Sequence, residues 1–201
     1  MSIGKRVRAG LAAGLAVLVL GVAATAQPAS AAELPINLEG QVDSHLAALV
    51  NSDISFAATF NGAADVTAGT ISGTFDTEPG QLQFNALGIL PVTSETDLHF
   101  AGPVTGTIDL ATLQVDVTAT FTIELTSFYL LGLPFLDPAL TCESSAPITA
   151  ELSGTYDPAT GIVMSGDYTI PPFQNCGGFN DFITLFTSGA GHTIEATLNN
   201  V

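Results

Sequence analysis

From Leu113 to Thr126 the chain alternates without a break. Leu113, Val115, Val117, Ala119, Phe121, Ile123 and Leu125 are apolar, and Gln114, Asp116, Thr118, Thr120, Thr122, Glu124 and Thr126 between them are polar. Successive side chains of a strand point to opposite faces, so this period predicts one long strand with a buried face and a wet one. Shorter copies of the pattern run from Ile54 to Phe60, Val92 to Phe100, Ile148 to Tyr156, Ile162 to Ile170 and Thr193 to Leu198. They predict about nine or ten strands in all.

Three segments share a local grammar. SGTFDTEPGQL begins at Ser72, TGTIDLATLQV at Thr105 and SGTYDPATGIV at Ser153. Each reads as strand, Asp, short turn, strand, with the carboxylate placed to accept backbone N–H groups two or three residues on. Hairpins therefore dominate the expected topology. One helix is predicted where Phe179, Phe182, Ile183 and Phe186 fall at helical spacing ahead of Gly189 and Gly191. The expected fold is all-β and antiparallel: a two-sheet sandwich built from hairpins, with one short C-terminal helix and a closed barrel as the alternative.

Charge is distributed in an unusual way. Lys5, Arg6 and Arg8 are the only three Lys or Arg residues, whereas the 19 acidic residues all lie beyond residue 32. The basic cluster leads into an apolar run, Leu11 to Ala26, and then to Ala29-Ser30-Ala31. That order is the pattern of a secretory signal peptide cleaved after Ala31. Residues 1–31 are read as signal peptide and 32–201 as a single secreted domain. Apolar residues make up 47% of the chain, enough to build a core and to argue against disorder despite the charge.

These features exclude several functions. Without Lys or Arg, residues 32–201 cannot neutralise phosphates, so no nucleic-acid partner is expected, and anionic membrane surfaces should repel the chain. No run of 18 apolar residues predicts a transmembrane helix in the exported domain. Cys142 and Cys176 in an exported chain read as one disulfide. No G-x-S-x-G turn marks a nucleophile, and His45, His99 and His192 are scattered, so no catalytic residue is assigned. Trp is absent, which removes the usual platforms for sugars. Glu95, Asp97 and His99 share a strand face, where two side chains could converge on one ion but a site would need a further ligand from across the strand. They read as a solvated face, and no metal or cofactor is expected.

The longest predicted irregular stretch, Ser127 to Ala146, contains the apolar segment Phe128 to Leu136. Its residues Phe128, Tyr129, Leu131, Leu133, Phe135 and Leu136 are the candidate binding residues. Exposed, they would form an interaction patch; buried, they would close one end of the core.

The motifs CESSAP at Cys142–Pro147, DYTIPPFQNCG at Asp167–Gly177 and LTSFYLLGLP at Leu125–Pro134 resemble small secreted proteins of high-GC Gram-positive bacteria, a largely uncharacterised group. The resemblance covers most of residues 90–198. It implies a β-rich exported domain with a Cys pair and brings no activity with it.

The functional expectation is therefore a secreted, non-catalytic protein that acts by surface contact or structural association in the cell envelope. Its partner would be an envelope or extracellular component. A carrier of a lipid-like apolar ligand is the alternative, and an envelope pore a further one. N-terminal sequencing of the secreted protein should begin near Ala32; an intact Met1 on secreted material would contradict the export reading.

Overall fold

A computed structural model describes residues 33–137 and 139–201; the signal-peptide segment read at 1–31 lies outside the described residues. Thirteen antiparallel strands and one short helix follow in order. They are β1 (Glu33–Leu46), β2 (Ser52–Asp65), β3 (Thr70–Thr77), β4 (Gly80–Ala86), β5 (Leu90–Phe100), β6 (Val104–Asp109), β7 (Gln114–Leu130), β8 (Leu133–Pro134), β9 (Cys142–Ser144), β10 (Ile148–Asp157), β11 (Gly161–Ile170), β12 (Phe173–Gln174), α1 (Asn180–Thr187) and β13 (Gly189–Asn200).

The all-β class expected from the alternation is what forms, but as the closed barrel and not the sandwich. Eight strands complete a ring in the order β1, β2, β3, β6, β7, β10, β11, β13 and back to β1. The strand β7 is paired along both edges, and at 17 residues it is long enough for one edge to take two strands in succession. One edge takes β6, from Thr105 opposite Thr118 to Asp109 opposite Gln114. The other takes β10, from Ile148 opposite Phe121 to Thr155 opposite Gln114. A sandwich could pair one strand on both sides as well, but here the pairings continue through β10, β11, β13 and β1 until the ring closes. Three glycines let the strands approach closely: a Cβ on Gly106, Gly154 or Gly166 would lie within 2.1 Å of a carbonyl oxygen on a neighbouring strand.

Two staves change strand halfway along the barrel. β5 succeeds β6 beside β7, from Phe100 opposite Phe121 to Val92 opposite Leu130. On the far side, β3 pairs with β2 and leads straight into β4, with the Glu78 N–H donating to the Ala57 carbonyl at 2.9 Å. The segment beginning at Ser72 is therefore a kink along one stave, not the hairpin its sequence suggested. The segments at Thr105 and Ser153 are hairpins, and their Asp carboxylates hold the turns. Asp109 Oδ1 accepts from the Ala111 N–H, and Asp157 Oδ1 from the Ala159 N–H, each at 2.8 Å.

The long strand also runs further than its alternation implied. Glu95 faces Ser127 and Thr96 faces Leu125, so Thr126 is an unpaired bulge residue. One extra residue reverses the phase of a strand. Leu125 and Phe128 consequently both point inward, and the first part of the stretch read as irregular is still β7.

The barrel interior is apolar and filled. Phe60, Phe75, Phe100, Phe121 and Tyr168 form a row with successive ring centroids 5.2–6.4 Å apart. Two internal voids of about 50 and 40 Å³ remain. The outward positions carry the Thr, Asp and Glu residues of the alternating runs, such as Asp116, Thr118 and Glu151.

The two ends of the barrel differ. One holds the turns anchored by Asp65, Asp109 and Asp157. The other holds the β1–β2 turn, the β4–β5 and β7–β8 hairpins, and α1, laid across the opening with Ile183, Phe186 and Thr187 buried. The Val50 N–H donates to the Phe186 carbonyl at 3.3 Å, and the Phe173 N–H to Thr184 Oγ1 at 2.9 Å. The disulfide Cys142–Cys176 fastens this cap, joining β9 to the turn before the helix across 34 residues. A cross-link closing a loop of that size stabilises by roughly 3–4 kcal/mol in the chain-entropy model. Replacing both cysteines by Ala should lower the unfolding free energy by about 2–5 kcal/mol in chemical denaturation, and an unchanged midpoint would show that packing alone holds the cap.

Candidate functional site

The apolar segment Phe128–Leu136 divides into an inner and an outer half. Phe128 is buried, its ring 5.9 Å from Phe135 and 6.4 Å from Phe182. Phe135 is half-buried against Phe179, with ring centroids 3.8 Å apart, and Leu136 is half-buried beside the same core. Phe128 and Phe135 both meet Phe182 of α1 and so help seat it on the barrel. Tyr129, Leu131 and Leu133 instead face solvent, at 40%, 59% and 68% exposure. The segment thus closes the core with its aromatic rings and presents a surface with its leucines.

It does not present that surface alone. Leu131-Gly132 forms the two-residue turn between β7 and β8, with φ of 55° and 76°. Leu87-Gly88, at the β4–β5 turn, has φ of 54° and 76°. Positive φ at both central residues is the mirror-image turn that matches strand twist, and Asn-Gly is its usual sequence. Leu in that conformation costs roughly 1–2 kcal/mol because its Cβ crowds the following carbonyl. Each tip is followed by another exposed apolar residue, Ile89 at 77% and Leu133 at 68%, and then by Pro91 or Pro134. The tips are adjacent: Val92 lies opposite Leu130, and the Leu131 N–H donates to the Pro91 carbonyl at 3.0 Å.

Sequence reasoning missed Leu87, Gly88 and Ile89. The signal was present as a recurrence, A-L-G-I-L-P at residues 86–91 against L-L-G-L-P at 130–134. It escaped because turn rules look for Asn or Asp ahead of Gly. Leu49 in the β1–β2 turn, Leu140 ahead of β9 and Leu185 on α1 add to the same end. Of twelve large apolar side chains exposed among the described residues, eight lie here. No carboxylate occurs between Glu78 and Glu95 or between Glu124 and Asp137, so both hairpin tips are uncharged. Asp53, Asp137 and Asp181 lie at this end of the barrel, outside the two tips.

The titratable groups are arranged differently. His45 Nδ1 meets Asp53 Oδ1 at 2.7 Å, and His99 Nε2 meets Glu124 Oε2 at 2.7 Å, both near the surface. His99 is thereby engaged across strands with Glu124, the residue opposite Asp97. Among the described residues no three His, Cys, Asp or Glu side chains converge as a metal site would require. His192 is fully buried beside Tyr168, its Nδ1 accepting from the Ala47 N–H at 3.2 Å and its Nε2 without a partner. The Tyr168 hydroxyl lies 2.5 Å from Ser44 Oγ. Burial pushes that phenol up to about 12, against a smaller lowering by Ser44. His45 and Asp53 line an open surface groove of about 420 Å³ together with Asp43, Ser44, Ser165, Thr193 and Glu195.

Compared with protein-family models, with curated proteins and with solved structures, the chain has no match. Any functional reading therefore rests on its own geometry.

Burial holds the His192 imidazole below its ordinary value; the Gly189 backbone opposes this more weakly, and nearby His45 adds to it. The unfolded chain then takes up this proton first as pH falls. The contribution of His192 is complete above about pH 6.5 and is lost as pH drops towards the lowered native value. Thermal melts of the wild type and His192→Asn, which keeps an acceptor for Ala47, should converge or cross in favour of the variant between pH 8 and pH 5. A constant difference across that range would place the imidazole in contact with solvent.

Proposed function

We propose that this is a secreted, non-catalytic protein that works by surface contact in the cell envelope, and that the apolar end of the barrel is its contact surface. The observation that carries the reading is the concentration of eight exposed large apolar side chains at that end. Scattered single apolar residues are normal on a soluble surface, whereas a cluster marks an interaction site. The strain at Leu87 and Leu131 points the same way. A conformation unfavourable to Leu, kept twice at neighbouring apices where burial returns little, fits a role outside folding.

The filled interior counts against a carrier. Ligand cavities occupy roughly 300–1,000 Å³; the voids inside the barrel are about 50 and 40 Å³, and the larger concavities of about 680, 420 and 380 Å³ are open grooves on its outer surface. The faces of the barrel count against a pore. A spanning barrel carries an outward apolar belt around a polar lumen; here Phe121, Val115 and Leu198 point inward while Asp116, Thr118 and Glu195 point out. The signal-peptide pattern and the Cys142–Cys176 bond support an exported location.

The test is co-sedimentation of the purified domain with envelope material from the producing cell. The wild type should pellet with it, and Leu131→Asn/Leu133→Asn should lose at least about tenfold in retention, since each Leu withdrawn from an apolar contact forfeits roughly 1.5–3 kcal/mol. Equal retention of variant and wild type, both folded, would dismiss this end as the contact surface.

A further inference from the structure

We infer that the partner of this surface is an uncharged lipid layer, entered from outside by the Leu87-Gly88 and Leu131-Gly132 tips. The inference rests on the contact reading above and names its partner. Its first ground is shape. The apices are two narrow neighbouring turns with Leu87, Ile89, Leu131 and Leu133 at 59–77% exposure, convex points and not a flat face. A stable protein interface buries about 1,200–2,000 Å² over complementary surfaces. Two projecting turns offer no such plane, but a fluid layer closes around them.

The second ground is the backbone. Polar groups entering hydrocarbon must be satisfied internally. At these tips the Gly88 N–H donates to the Asn85 carbonyl at 3.0 Å, the Ile89 N–H to Ala86 at 3.2 Å and the Leu131 N–H to Pro91 at 3.0 Å. Pro91 and Pro134, next along each hairpin, have no N–H to satisfy. Tyr129 stands just behind the second apex at 40% exposure, where an amphipathic ring suits the boundary between lipid and water.

The third ground is charge. Residues 32–201 carry 19 carboxylates with no Lys or Arg, yet none on either tip. Such a body is repelled by an anionic leaflet and by a second copy of itself, and meets a neutral or zwitterionic layer without that penalty. Insertion of a few apolar residues to about 5–10 Å is reversible and does not span the layer.

Vesicle flotation tests this. The purified domain should float with phosphatidylcholine vesicles and bind more weakly when phosphatidylglycerol is mixed in. Leu87→Asn/Leu131→Asn should reduce partitioning about thirtyfold or more, with an equal or higher melting midpoint because Asn tolerates positive φ. Ile89→Thr/Leu133→Thr should weaken partitioning in the same direction without touching the strained positions. Absence of flotation by the wild type, or flotation by both variants equal to it, would overturn the inference. Tip-dependent dimers in sedimentation velocity, or tip-dependent pelleting with envelope material but no flotation, would also overturn the lipid partner while leaving the contact reading in place.

Discussion

The structure depends on the pairing of β7 along both of its edges. In most domains of this size, ion pairs and varied polar contacts share the work of holding strands in place. Here residues 32–201 contain no Lys or Arg, and the ion-pair contacts among the described residues are His45–Asp53 and His99–Glu124 at the surface. Closure makes up for this. Each of the eight staves has a paired neighbour on both sides over part of its length, with the β10–β11 ladder confined to Ser153–Asp157 and Gly161–Ser165, and one apolar face per strand turns inward. The 19 carboxylates are left on the outer faces and turns, where water solvates them.

Closure also makes the two ends distinct. The turns at one end are held by Asp65, Asp109 and Asp157 accepting backbone N–H groups. For Asp109 those backbone bonds, chiefly from Ala111 and Thr112, lower the carboxyl below its ordinary value. The opposite end needs a lid, because the staves stop around an apolar interior. Helix α1 supplies it, tied by the disulfide and seated with Phe182 against Phe128 and Phe135 and Phe186 against Phe84. The two Leu-Gly hairpins extend beside this lid and contribute little to it. Their leucines pay twice, in conformation and in exposure, and neither penalty helps the barrel close.

The strands were legible where their alternation was unbroken. Val115 through Leu125 point as the sequence says, and Phe182, Ile183 and Phe186 lie on the helix that their spacing predicts. Three things were not legible, each for a physical reason. Closure into a barrel depends on which edges pair, and alternation specifies faces but not neighbours. The bulge at Thr126 reversed the phase, so the strand looked finished before Phe128. At Ser72, a kink along one stave has the same turn-forming composition as a hairpin. Of the apolar segment that the sequence singles out, Tyr129, Leu131 and Leu133 are exposed whereas Phe128 lies in the core. Leu87 and Ile89 were missed because a Leu-Gly turn lies outside the usual turn chemistry. Their closeness to Leu131 follows only from the β5–β7 register.

Native-state hydrogen exchange along β7 tests closure most directly. Backbone amides of an antiparallel strand point alternately to its two edges. Between Gln114 and Phe121 one set faces β6 and β5, and the other faces β10. If the ring is closed, both sets should be protected alike and exchange only through global unfolding. Fast exchange at every second amide of Gln114–Phe121 would mean that the β7–β10 seam is open, and that the domain is a sheet with free edges instead of a barrel with two different ends.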